Sequence, residues 1–122
     1  DATMQAVLSD RYGRTLLIEP GIGSQVDTGT YSLMANASLL SPESTRPWLL
    51  PGDNRYEKAA QLLAKQGRRF SVSDAFAILR AVRQEGLWAT RVSFVFSAKQ
   101  RTVFYAENSH FDSIQTYQFP PV

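Results

Sequence analysis

Residues 71–96, SVSDAFAILRAVRQEGLWATRVSFVF, change from the periodicity of a helix to that of a β-strand. In the first part, apolar residues recur at helical spacing and form one stripe, which is typical of an amphipathic helix. Ser71 and Asp74 have the spacing of a capping box at a helix start, and Gly86 is a residue type that ends helices. The stretch therefore predicts a helix over residues 72–85.

From Val92 onward, apolar and polar side chains alternate, which is the period of a strand. Val92, Phe94 and Phe96 alternate with arginine and serine residues. Residues 99–101, KQR, are expected to turn the chain, and residues 102–108, TVFYAEN, return as an antiparallel strand. This part of the sequence predicts a β-hairpin directly after the helix.

The N-terminal half repeats the same two kinds of pattern. A second amphipathic helix is predicted over residues 55–66, and residues 41–54 are expected to form a long proline-rich loop before it. The remaining predicted strands cover residues 4–9, 14–19, 31–36 and 114–119. The element order is then βββ-αα-βββ, in one α+β domain over residues 1–122 whose antiparallel sheet of about six strands carries both helices on one face.

The other face of this sheet is not fully polar. The side chains expected to alternate onto it, away from the helices, are Val95, Phe104, Leu17 and Leu33 or Met34. A half-apolar second face is typical of a sheet that carries another layer.

The composition excludes several kinds of chemistry. The chain has no cysteine, so it holds no disulfide, thiolate metal site or cysteine nucleophile. Its one histidine, His110, excludes a histidine-rich metal site, and no window is long and apolar enough to span a membrane. The net charge of +2 argues against a nucleic-acid-binding domain.

Five segments together resemble one family of enzymes. They are AVLSDRYGRTLLIEPG at 6–21, LMANASLL at 33–40, PGDNRYEKAAQLLA at 51–64, SVSDAFAILRAV at 71–82 and LWATRVSFVFSAKQRTVFYAEN at 87–108. Their order and approximate spacing resemble the cysteine N-terminal nucleophile hydrolases that act on linear amides. This group includes bile salt hydrolases, penicillin V acylases and acyl-CoA:6-aminopenicillanate acyltransferases, and more distantly acid ceramidases.

The resemblance implies a four-layer αββα sandwich, of which this chain would supply the C-terminal portion. It also implies an N-terminal Cys nucleophile whose own α-amine is the base, with no metal and no other cofactor. By position in the motifs, Asn36 corresponds to the asparagine that helps hold the oxyanion, and Arg55 to an arginine that tunes the nucleophile. The substrate of such a protein is a small acyl amide.

The chain departs from this pattern because it begins with Asp1 and contains no cysteine. We therefore expect the chain alone to be inactive, either as a subunit or as a piece cut from a longer hydrolase. Its expected partner is the remaining N-terminal part of that hydrolase, or a second copy through the exposed sheet face.

Simpler interpretations stay open for both candidate residues and for the whole chain. Asn36 could cap a turn at the end of a strand, or accept a glycan within the sequence Asn36–Ala37–Ser38. Arg55 could be a surface residue in the first helical turn, although an arginine there favours an anionic partner because helix N-termini are partly positive. The alternative function is a self-contained α+β binding or dimerisation module.

Overall fold

The structure is a computed structural model, and it describes residues 5–29, 31–34, 40, 53–66 and 69–122. The chain divides into two compact units, residues 1–57 and 58–122. In chain order the elements are β1 Ala6–Ser9, β2 Thr15–Glu19, β3 Gly23–Asp27, α1 Arg55–Lys65, α2 Val72–Ala81, a short 3₁₀ helix Gly86–Trp88, β4 Val92–Ser97, β5 Thr102–Glu107 and β6 Gln115–Gln118. The predicted α+β class and the order βββ-αα-βββ are confirmed.

The strands of the described residues pair as two antiparallel sheets of three, where the sequence predicts one sheet of about six. Each sheet contains only strands that follow one another in the chain, in the orders β1-β2-β3 and β4-β5-β6. The strand patterns specify such local hairpins well. They do not specify pairing between strands that lie far apart in the sequence, because that pairing depends on tertiary packing.

The turn between β1 and β2 is built by Asp10. Its carboxylate accepts the backbone N–H groups of Tyr12 at 2.8 Å and Arg14 at 3.0 Å. Gly13 has φ +79°, a conformation that costs glycine no steric strain. The pairing of β1 with β2 then places Ser9 opposite Thr15.

The third strand lies earlier than the sequence predicts. It is β3, whereas residues 31–34 belong to no strand and residues 35 and 36 lie outside the described residues. Asp27, the last residue of β3, accepts hydrogen bonds from the Gly29 backbone at 2.9 Å and from the Ser32 hydroxyl. Hydrogen bonds between an Asp side chain and the backbone two residues on form a turn, here immediately after β3.

The start of α2 agrees with the prediction, and its end does not. The Ser71 hydroxyl accepts from the Asp74 N–H at 3.1 Å, and the Asp74 carboxylate accepts from the Ser71 N–H at 2.8 Å, which is the predicted capping box. The helix ends at Ala81 rather than at residue 85, because Thr90 bonds to both backbone groups of Gln84 and draws the chain out of the helix. Gly86, with φ +76°, therefore begins the 3₁₀ helix and does not end α2.

The second sheet turns a different face toward α2 than the sequence predicts. α2 contacts β4, and the small pair Ser93 and Ala106, opposite each other across β4 and β5, is 6% and 0% exposed. Val95 and Phe104 share that face, so they do not lie on the uncovered face as expected. Small side chains let a helix approach the sheet closely, which explains why the serine side is the covered one.

The opposite face of this sheet carries most of its aromatic residues. Phe94 is 65% exposed and Phe96 is 55% exposed. The Phe119 ring meets Phe96 at 5.9 Å and Tyr117 at 5.1 Å between centroids, both edge to face. We refer to the set that forms this surface as the open aromatic face: Val92, Phe94, Phe96, Val103, Tyr105, Tyr117 and Phe119.

Candidate functional site

Arg55, one of the two predicted site residues, is the first residue of α1 and is half-buried. Its guanidinium forms a two-pronged ion pair with Asp53, with Nε donating to Oδ1 at 2.8 Å and Nη2 donating to Oδ2 at 2.6 Å. The Arg55 backbone N–H also donates to the same carboxylate at 3.2 Å. The side chain is therefore fixed at the helix start, next to the anionic partner that the sequence led us to expect there.

The ion pair changes the electrostatics of both groups. The hydrogen bonds from the Arg55 guanidinium lower the pKa of the Asp53 carboxyl below its ordinary value, although burial acts in the opposite direction. The same bonds raise the pKa of Arg55. Both groups stay charged at neutral pH, and the pair as a unit has no net charge.

This neutralisation limits what Arg55 can do to a neighbouring group. An arginine whose charge is balanced by a carboxylate shifts the pKa of a third group less than an isolated cation would. A guanidinium has about five N–H donors, and the pair uses two of them. Chemically, the arrangement suits a positioned hydrogen-bond donor better than a free positive charge.

Asn36, the other predicted site residue, lies outside the described residues. The catalytic role that the family resemblance implies for each of the two residues stays a prediction.

Glu19 is a buried carboxylate that the sequence analysis did not select. It ends β2, is only 2% exposed, and accepts a hydrogen bond from the Leu40 backbone N–H at 2.8 Å. The Gln5 side-chain amide also donates to it. The signal that could have identified Glu19 is its position at the end of an otherwise apolar predicted strand. Charged groups are almost never fully buried without partners, so a glutamate there suggests a buried polar contact.

The described ranges contain no cluster of three or more acidic or histidine side chains that could hold a metal ion. Within the same ranges, no helix has the length and apolar character needed to cross a membrane. His110 is exposed, in the turn between β5 and β6, where its backbone N–H donates to the Glu107 carbonyl at 2.9 Å.

Comparison of the chain with protein-family models, with curated proteins and with solved structures finds no match in any of the three.

Proposed function

We propose that this chain is the C-terminal part of a hydrolase or acyltransferase that acts on linear amides, whose N-terminal Cys nucleophile lies outside the chain. The observation that best supports this is the second sheet, which has α2 on one side and the open aromatic face on the other. A sheet with one covered and one open apolar face is what half of a layered sandwich would present. The order of the five sequence motifs points to the same family.

The open aromatic face is costly to leave in water. Burying one phenylalanine side chain contributes about 1.5–3 kcal/mol, and exposed apolar patches mark sites where another surface packs. Leu87 and Trp88 in the 3₁₀ helix are also exposed, with Trp88 at 74%. These side chains support the existence of a further layer in the complete enzyme.

In the proposed reaction, the thiol of the missing cysteine transfers its proton to its own α-amine and attacks the amide carbonyl. Asn36 donates a hydrogen bond to the oxygen that becomes negative, which stabilises the transition state. The amine leaves with the proton, and water or a second amine then takes the acyl group from the thioester. Arg55, held by Asp53, donates hydrogen bonds near the nucleophile.

Substitution of Asn36 in the complete enzyme tests this proposal. Asn36→Ala should lower kcat on an acyl-amide substrate about a hundredfold, the usual effect of removing an oxyanion donor. Arg55→Gln should lower kcat as well, whereas Arg69→Gln should not, because Arg69 is exposed and lies outside the proposed site. Unchanged turnover by Asn36→Ala would overturn the assignment.

The isolated chain provides a second test, because it contains no cysteine. Incubated with several acyl amides, it should release no amine. Adding the part of the hydrolase that carries the nucleophile should restore turnover. Robust turnover by the isolated chain would refute the proposal.

A second candidate is a self-contained module that dimerises through the open aromatic face. The edge-to-face cluster of Phe96, Tyr117 and Phe119 favours it, because such a surface can pack against its own copy. The two candidates predict different coding sequences upstream of Asp1. A cysteine after a start or processing site there supports the enzyme, and a natural start just before Asp1 supports the module.

A further inference from the structure

A groove lies on the helix side of the second sheet, away from the open aromatic face. It has a volume of 570 Å³, within the range of small-molecule sites. Its lining residues are Val72, Ser73, Phe76, Ala77, Arg80, Phe104, Phe111 and Ile114. All of them belong to the second compact unit, so this unit forms the groove by itself.

One side of the groove is a single stripe of α2. The stripe runs from Val72 through Phe76 and Ala77 to Arg80, over about two turns of helix. At a rise of about 1.5 Å per residue, these eight steps give the groove a length of roughly 12 Å. The groove is therefore longer than a compact ring and suits a ligand with an extended alkyl chain.

The opposite side of the groove is aromatic and apolar. Phe104 comes from β5, and Phe111 and Ile114 come from the segment between β5 and β6. The Phe111 ring meets the Phe76 ring edge to face at 6.3 Å, which holds the floor of the groove in place. An occupant of this part would have to be apolar.

Arg80 supplies a positive charge at one end of the groove. Its guanidinium lies over the Phe111 ring, 6.0 Å from the centroid. Among the described residues, no carboxylate forms an ion pair with Arg80. A guanidinium that lies over a ring can still bind a carboxylate through its N–H groups.

We propose that this groove binds the carboxylate form of a medium-chain fatty acid. The carboxylate bonds to Arg80, and the chain lies between α2 and Phe104 with its end toward Val72. Carbon–carbon bonds of about 1.5 Å advance an extended chain by roughly 1.25 Å per carbon, so a 12 Å groove accommodates about ten carbons. The site is independent of the proposed amide chemistry, because it uses neither Asn36 nor Arg55.

Titration of the full chain with decanoate, followed by calorimetry and by amide chemical shifts, tests the proposal. Decanoate should bind saturably and shift the amides of Ala77 and Ile114. Decanol, which lacks the charge, and acetate, which lacks the chain, should each bind at least about tenfold more weakly. Shifts confined to the open aromatic face, or equal binding of decanoate and decanol, would overturn the proposal.

Two arginine substitutions, one in α2 and one two residues after its end, form a matched pair that tests the role of the positive charge. Arg80→Gln should weaken decanoate about tenfold without changing the affinity for decanol, because it removes a charged hydrogen bond. Arg83→Gln removes the same charge outside the groove, where Arg83 pairs with Glu85, and should leave decanoate binding unchanged. Equal losses in the two variants would show a general charge effect and refute the site.

A third variant tests the apolar part of the groove. Ala77 is exposed at the groove, so Ala77→Phe should occupy its volume and weaken decanoate and decanol alike. Far-UV circular dichroism shows whether this variant is folded. If it is not, Arg80→Gln still decides the question, because that side chain is exposed.

Discussion

At the scale of single residues, the pair formed by Asp53 and Arg55 contributes stability that depends on pH. The pKa of Asp53 is lower in the folded protein than its ordinary value of 3.8, chiefly because of the Arg55 guanidinium. Its contribution is therefore fully present above the pKa of the unfolded chain, and it is lost as the pH falls through the lower folded pKa.

Replacement of Asp53 by asparagine should reveal this dependence. We expect Asp53→Asn to lower the free energy of unfolding by about 1 kcal/mol at pH 7, the usual net value of such bonds. The difference from the unsubstituted chain should shrink in acid, as the carboxyl takes up a proton. Thermal unfolding at a series of pH values measures both effects. Asp112→Asn, at an exposed position, is the control, and a difference that does not change with pH would contradict the assignment.

Glu19 leads to a second prediction at this scale. Both the Leu40 backbone N–H and the Gln5 amide donate to its carboxylate. In Glu19→Gln, the new amide N–H₂ would face one of these donors, and a buried polar group without a partner costs about 1–3 kcal/mol. Urea unfolding should show this loss. Glu57→Gln, at an exposed position on α1, should change stability little, and similar losses in both variants would argue against the buried network.

The sequence identifies residue pairs that are close in the chain better than those that are distant. Arg55 was expected to find an anion, and its partner is two residues away, where local geometry suffices. Glu19 pairs with Leu40, which is 21 residues further along the chain, and no local pattern encodes that contact. Buried polar networks depend on tertiary packing, which explains why this carboxylate was missed.

At the scale of elements, the capping box of α2 should carry measurable stability. Ser71→Ala removes the hydroxyl that accepts the Asp74 N–H, and loss of such a cap costs about 1 kcal/mol. Ser73→Ala, two residues later on an exposed part of the first turn, lacks this role and is the control. Urea unfolding should separate the two variants. Equal stability of the two would mean that the cap contributes nothing.

The strand patterns located β4 and β5 but reversed their faces. Both faces of β4 carry apolar residues, so alternation alone could not decide which one meets the helix. The predicted alternation placed Val95 on the uncovered face, so Phe94 and Phe96 were expected on the side of the helices. The structure instead places Ser93 and Ala106 against the helix side, where their small volume permits close approach.

At the scale of the whole molecule, the open aromatic face should govern association. The isolated chain should sediment faster as its concentration rises, because two copies can bury this face together. Phe94→Thr with Phe96→Thr should make it sediment as a monomer, and threonine preserves strand propensity. Leu8→Thr, which changes an exposed residue of β1, should leave the association unchanged. Association that persists in the double variant would exclude this face as the contact.

The sequence predicted the class, the element order and both helix starts, because these depend on local periodicity and capping. It did not predict the division into two sheets or the early end of α2. The early end of α2 comes with the bonds between Thr90 and Gln84, and the division into two sheets depends on tertiary packing that strand patterns do not encode. For the candidate site, the sequence anticipated the anchoring of Arg55 and overlooked Glu19.

Strand pairing that joins only consecutive strands has a consequence for the kinetics of folding. Neither sheet requires a contact between distant parts of the chain, so contact order within each is low and loop closure is fast. Hairpins of this kind form in about 1–10 μs, much faster than translation adds a residue. β4, β5 and β6 can therefore assemble as they are synthesised, and their aromatic surface is exposed to water from that moment.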